Sequence, residues 1–338
     1  MLYRLLFDTI ITRLDAESAH GSAVSAIGRA GRSPLAPLLR STIGWRAGAR
    51  QTTALTRTIP GVVGLAAGMD KNGAAIEGMD ALGFAFVEIG TITPEPQPGN
   101  EKPRMWRHLQ ERGLRNAMGF NNEGSERAAA RLRELRSTKR GRSIIVGVNI
   151  GKNKWTPEQL AADDYEICAS RLARFADYLA INVSSPNTPG LRNLQTAEAL
   201  RPIVAATRRG AAKSAGRRVP ILIKIAPDLD PAAIEDIAQL VIAEDLDGVI
   251  ATNTTIDHDY GRGGMSGEPL TERSLSIVRT LRDNLPADRL IIGVGGITSI
   301  DDAQAMLGAG ADLLQVYSSF VYDGPMLPGR LNRALAHL

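Results

Sequence analysis

Long apolar runs are missing from this chain, and no stretch approaches the roughly 18 consecutive apolar residues that a membrane-spanning helix needs. A signal-peptide layout with a small-residue cleavage site is missing too, so the chain is expected to be made and kept in the cytoplasm. Cysteine is nearly absent. Cys168 stands alone in a helical pattern, which excludes an internal disulfide or a thiolate metal site and reads as a small buried helix residue. Aromatic residues make up only 4% of the chain, and Lys and Arg are scattered, so a basic stacking platform for nucleic acid lacks material. Four histidines, at 20, 108, 258 and 337, lie outside the polar clusters described below, and no His-x-x-His or carboxylate cluster has metal-ligand spacing. No metal, no metal hydrolase and no Ser-His-Asp site are expected. Nothing in the sequence demands an obligate protein partner.

What is present is enough for one large core: 338 residues, 43% hydrophobic and 22% charged, with a net charge of +4. The mild positive balance suits an anionic small substrate or an anionic membrane surface. From residue 62 onward, eight short β-branched apolar runs alternate with helical patterns, at 62–67, 85–90, 144–150, 178–183, 221–226, 248–252, 290–294 and 313–317. Near-continuous apolar strands with intervening helices imply a parallel sheet covered on both faces, and eight units imply closure. The fold class is therefore α/β, a (β/α)8 TIM barrel, with a small N-terminal α-helical extension. A barrel of about 250 residues leaves room for that extension. Two units follow, residues 1–44 and the barrel of residues 45–338.

Residues 1–44 form an amphipathic pattern. Arg4, Asp8, Thr12 and Asp15 share one narrow helical arc, and Leu2, Tyr3, Leu6, Phe7, Ile10 and Leu14 cover the other side, interrupted by Arg13. A second, alanine-rich helix is expected from about Glu17 to Arg29. These helices either plug one end of the barrel or lie as a hairpin in a bilayer interface.

Polar residues gather at the C-terminal strand ends, the face on which barrel enzymes build their sites. The segment 180–190 carries Asn182, Ser184, Ser185, Asn187 and Thr188 in a loop held by Pro and Gly. Two of the seven lysines, Lys71 and Lys224, sit at or within apolar strands, so each predicts a ligand or a buried carboxylate. Asp70 is the local partner available to Lys71. Lys224 has no acidic neighbour in its strand, which favours a bound cofactor. Thr252 to Thr255 end the sixth run, and Gly261 to Gly267 follow as a glycine-rich loop. Gly293 to Ile297 and Tyr317 to Ser319 follow the seventh and eighth runs, where this fold recurrently binds phosphate. A phosphosugar isomerase or aldolase with Lys224 as a Schiff-base lysine would also use such a site.

The motifs GLAAGMDKNG, NAMGFNN, VNIGKN, NVSSPNTPGLR, KIAPDL and ATNTT, in that order, resemble those of the dihydroorotate dehydrogenase family through essentially the whole barrel. The resemblance implies one FMN per chain, held by Ala67, Gly68, Met69, Asp70, Lys71, Thr91, Asn149, Asn182, Lys224 and Thr252. Gly267, Gly296, Tyr317 and Ser318 would take its phosphate. It also implies a dihydroorotate site made by Lys71, Asn116, Ala117, Met118, Gly119, Phe120, Asn182, Asn187, Asn253 and Thr254, with Ser185 as the general base. Ala117 stands where family members often carry a larger side chain. The soluble classes have cysteine at the base position and no N-terminal extension. Serine at 185 together with residues 1–44 resembles class 2, the quinone-dependent class, rather than one using fumarate or a nicotinamide. The implied electron acceptor is then a membrane quinone, with His20 and Arg107 lining its site. The implied location is peripheral, at the cytoplasmic face of the cell membrane, through the N-terminal helices.

Overall fold

The computed structural model describes residues 2–44 and 52–337. The expected boundary between residues 44 and 45 abuts residues 45–51, which lie outside the described residues. Among the described residues, eight parallel strands close a barrel in chain order. They are β1 (Val63–Leu65), β2 (Val87–Ile92), β3 (Val146–Ile150), β4 (Tyr178–Asn182), β5 (Ile221–Ile225), β6 (Gly248–Ala251), β7 (Leu290–Val294) and β8 (Leu313–Val316). Most lose a residue or two from the expected runs. β2 instead starts later and extends to Ile92, with an irregular register against β3 between Ile89 and Ile92.

Alternation along the strands divides the barrel interior into two zones, because successive side chains point to opposite faces. Near the strand starts, Phe86, Ile145, Tyr178, Leu222, Ile292 and Leu313 pack together. Toward the strand ends the same inward rows carry Glu88, Asn149, Asn182, Lys224 and Gln315, all buried. The apolar end is closed by a hairpin, Thr52–Ala54 against Arg57–Ile59, whose Leu55 and Ile59 join that cluster. Outward-facing strand residues pack under the barrel helices in a second, larger core.

The N-terminal segment forms α1 (Leu2–Thr9), a 3-10 turn (Ile11–Arg13), α2 (Ala16–Arg32) and α3 (Ala36–Thr42). Asp15 caps α2 by accepting from the Ser18 N–H at 2.8 Å. The hairpin closes the apolar end of the barrel, and α2 lies at the other end, where His20 stacks on Tyr317 and Glu17 pairs with Arg104. The anchor is a close crossing of α2 over the helix Ile76–Ala81. A Cβ on Gly31 would lie 2.1 Å from the Gly78 nitrogen, so only glycine permits that approach. The apolar side of α1 is split: Phe7 packs with Tyr322 and Leu114, joined by Tyr3, whereas Leu6, Ile10 and Leu14 remain exposed. Arg13 is exposed.

A second sheet was not anticipated. Met105–His108, Gly113–Asn116 and Gly264–Gly267 pair antiparallel over the barrel mouth. These short strands carry charges and glycines in place of an apolar period, which is why they read as loops.

Candidate active site

The strand ends, the loops beyond them and the antiparallel sheet enclose a cavity of about 1110 Å³, including its open mouth. Of the expected residues, Ala67, Gly68, Lys71, Thr91, Asn116, Met118, Gly119, Phe120, Asn182, Ser185, Asn187, Lys224, Thr252, Asn253, Thr254, Gly267, Gly296, Tyr317 and Ser318 all line it. Residues separated by up to about 250 positions thus face one space, because a barrel gathers all its strand ends.

At one side stand Lys71, Ser185 and the amides. The Lys71 ammonium donates to the Gly68 carbonyl at 2.8 Å, while Asp70 turns away to accept from the Ala74 and Ala75 N–H groups at 2.8 and 2.7 Å. Burial pushes Lys71 down to about 8 against the pull of the Glu17 carboxylate, with Arg104 adding to the fall and Asp70 opposing it. Asn187 donates to the Asn116 carbonyl at 3.1 Å, and Asn253 donates to the Ser184 hydroxyl at 2.9 Å. Ser185 accepts the Asn187 N–H at 3.3 Å. Nearby in the same loop, the Thr188 hydroxyl is buried with no partner among the described residues. Arg192 ties three loops together: it reaches the Ser184 carbonyl at 3.2 Å, Asp228 at 2.7 Å and the Thr254 carbonyl at 2.9 Å.

At the floor, Lys224 is 4% exposed and makes no protein hydrogen bond among the described residues. Its ammonium lies 3.8 Å from Glu88 of β2. The missing acidic neighbour of Lys224 is therefore supplied across the barrel. Burial lowers the Lys224 pKa and the Glu88 carboxylate works against that fall. Beyond the floor, Gly267 and Gly296 bring backbone to the wall. Gly296 has a φ of +75°, and a Cβ there would lie 2.2 Å from the Thr271 Cα, so no other residue fits. Ser318 shares a hydroxyl contact of 2.9 Å with Ser266.

Several expected residues do not line the cavity. Asp70 caps backbone N–H groups as described. Met69 is buried beside it. Ala117 is buried, its N–H donating to the Arg104 carbonyl at 2.9 Å, so its small size does not shape the cavity wall. Asn149 lies one layer below, where its Oδ1 accepts from Thr91 at 2.6 Å and from Asn182 at 3.0 Å. His20 of α2 stands behind Tyr317, with parallel rings 6.4 Å apart. Burial, aided by the Lys71 charge, pushes His20 down to about 3, so the imidazole is neutral. Arg107 donates to the Leu14 carbonyl at 2.8 Å and so touches the N-terminal segment, not the cavity. Conversely, Gln315 and Thr298 line the cavity unanticipated, and Ser266, Ser319 and Asn121, which belong to the expected loops without a role of their own, line it too; Glu88 lies behind the wall, against Lys224 and Gln315. Glu88 and Gln315 carried the signal that marked Asn182 and Lys224, a polar residue inside an apolar strand. Among the described residues, no group of three His, Cys, Asp or Glu could hold a metal ion.

The family model described as dihydroorotate dehydrogenase matches residues 50–338. A Nocardioides protein described as dihydroorotate dehydrogenase (quinone) is 50% identical, with 99% of this chain and 97% of the relative aligned. Its counterpart in Thermobifida fusca is 45% identical over 100% of this chain and 93% of its own. Among solved structures, Eimeria tenella DHODH in complex with ferulenol superposes with a TM-score of 0.87 at 35% identity, covering 98% of this chain and 93% of that one. With near-complete coverage and the same gathered strand ends, this chain belongs to the dihydroorotate dehydrogenase family.

Proposed function

We propose that this chain oxidises (S)-dihydroorotate to orotate in de novo pyrimidine biosynthesis and delivers the electrons to a membrane quinone, with FMN as the bound cofactor. The observation that carries this reading is the two-sided cavity: a cation, a buried serine and paired amides on one side, a buried cation and glycine-lined loops on the other. An anionic ring bearing N–H and C=O groups needs the first set. Lys71 takes the substrate carboxylate, and Asn116, Asn182, Asn187, Asn253 and Thr254 supply donors and acceptors to the ring. Met118, Gly119 and Phe120 close the wall beside them.

Two atoms of the structure test whether FMN fits. At the cavity floor the Gln315 Oε1, an acceptor, is buried without a hydrogen-bond partner among the described residues, and the Lys224 ammonium, a donor, has only the Glu88 carboxylate at 3.8 Å as its ion-pair partner among them. A heteroaromatic edge with C=O and N–H groups answers both. Ala67, Gly68, Thr91, Asn182 and Thr252 frame the ring, and Gly267, Gly296, Tyr317 and Ser318 hold the phosphate. When bound, FMN supplies the acceptor for the hydride leaving substrate C6 and the route for those two electrons to quinone. Ser185 Oγ removes the proton from C5, which leaves the C5=C6 double bond of orotate. Its burial excludes water, and the unpartnered Thr188 hydroxyl in the same loop offers the proton a way on.

Residues 1–44 serve as the membrane and quinone-access unit and residues 45–338 as the catalytic barrel. The exposed Leu5, Leu6, Ile10, Leu14, Leu35 and Leu38 are the surface that would enter a bilayer interface, at the cytoplasmic face. Among the described residues, no helix is long and apolar enough to cross a membrane. His20 and Arg107 bind at the quinone side, where neutral His20 backs Tyr317.

The test is the visible spectrum of the purified protein in mild detergent under anaerobic conditions. Dihydroorotate should bleach a flavin band and a soluble quinone analogue should restore it. Restoration by fumarate or a nicotinamide alone would remove the quinone assignment. Well-folded protein without flavin would turn the reading toward a phosphosugar enzyme.

A further inference from the structure

Glu88 carries no role in the chemistry described so far, yet it is wholly buried and takes four partners from four other strands. Its Oε1 accepts from Asn149 Nδ2 at 2.9 Å and lies 3.8 Å from the Lys224 ammonium. Its Oε2 accepts from the Tyr178 hydroxyl at 2.8 Å and from Gln315 Nε2 at 2.7 Å. We propose that Glu88 is a positioning residue for the flavin reaction, a single carboxylate that balances Lys224, aims Gln315 at the ring site and turns Asn149 toward Thr91 and Asn182 beneath it. This rests on the flavin reading above.

The orientation of these amides follows from donors and acceptors alone. A carboxylate only accepts, so it draws the NH₂ side of both amides toward itself. Gln315 must then turn its Oε1 to the cavity, where it is unpartnered. Asn149 must turn its Oδ1 to Thr91 and Asn182. Asn182 in turn presents Oδ1 to the Ser184 hydroxyl at 3.0 Å, and Ser184 accepts from Asn253. One carboxylate thus sets the direction of amides from the cavity floor to the substrate side. Tyr178 cannot compete for the charge, because burial and the Glu88 carboxylate push its hydroxyl well up and keep it a neutral donor.

Reduction changes the charge that Lys224 faces. Two electrons and one proton reaching the ring leave one negative charge there, which a neighbouring ammonium stabilises. Glu88 from β2 is the charged group facing Lys224, with neutral Tyr178 from β4, Asn149 from β3 and Gln315 from β8 around it; Lys71 stands at the mouth of the same cavity. The Glu88 carboxylate at 3.8 Å works against the fall that burial imposes on the Lys224 pKa. Without it, the buried Lys224 would lose its proton at a lower pH and take one up when the ring is reduced.

The experiment compares wild type, Glu88→Gln, Glu88→Asp and Glu88→Gln/Lys224→Met holoenzymes, measuring flavin content and the flavin midpoint potential from neutral to alkaline pH. In Glu88→Gln the potential should lie above wild type at the acid end and fall more steeply with pH, by one additional proton per two electrons. Glu88→Asp should restore the wild-type slope, and the double variant should lose the steep segment. A Glu88→Gln profile that overlays wild type overturns the proposal and leaves the flavin reading intact, whereas wild-type protein without flavin sinks both. If Glu88→Gln folds without retaining flavin, thermal midpoints decide. The double variant should then melt higher than Glu88→Gln, because an unpaired buried cation has been removed, and an equal or lower midpoint overturns the pairing.

Discussion

Lys71 holds its proton only below about pH 8, because burial and Arg104 outweigh Glu17 and Asp70. A depressed lysine is charged below its pKa and neutral above it, so dihydroorotate binding should weaken as pH rises through about 8. The kcat/KM profile should therefore fall on its alkaline side. Lys71→Gln should flatten that fall and weaken substrate binding about 10- to 100-fold, the worth of a charged hydrogen bond. Persistence of the same alkaline limb in Lys71→Gln would assign it elsewhere. For Ser185, the buried hydroxyl facing the cavity predicts a different split. Ser185→Ala should slow flavin reduction by dihydroorotate at least about 100-fold, within the range for a removed general base, while reoxidation by quinone stays near wild type. Stopped-flow of the two half-reactions separates these outcomes, and an unchanged reductive rate would exclude Ser185 as the base.

At the scale of elements, the position of α2 depends on a glycine crossing. Gly31→Ala would place a Cβ against the backbone of the helix Ile76–Ala81 and should cost about 1–3 kcal/mol of stability through overpacking. Since α2 also carries His20, a displaced helix should slow reoxidation by quinone more than reduction by dihydroorotate. Thermal melts with the two half-reactions check this, and equal effects on both would mean that α2 acts on the barrel as a whole. The same scale shows why the antiparallel sheet escaped reading. Its strands are stabilised by capping the mouth and by Arg115 stacked 3.9 Å over the Trp106 ring, neither of which leaves a period-two apolar pattern.

For the whole molecule, the exposed leucines of α1 and α3 flank α2, whose His20 backs Tyr317 of the cavity wall. Leu5→Glu with Leu38→Glu should abolish binding to vesicles containing anionic lipid, as read by flotation. Turnover with a water-soluble quinone analogue should be unchanged, because neither leucine lines the cavity. Vesicle binding that survives both substitutions would remove this surface as the membrane contact.

How much of this was legible without coordinates follows from the physics of each signal. Eight apolar runs and the polar clusters at their ends are local patterns, and they were sufficient for the barrel and for most of the cavity wall. A lysine inside an apolar strand also announces by itself that something must answer its charge. What answers it is not local: Glu88 meets Asn149, Tyr178 and Gln315 at separations of 61, 90 and 227 residues. Only barrel closure puts those inward rows in register. The amphipathic start likewise announced an apolar face, and packing divided it, burying Phe7 and leaving Leu6, Ile10 and Leu14 outside. Periodicity states which side of a helix is apolar, but the surface available to cover it exists only once the chain has folded.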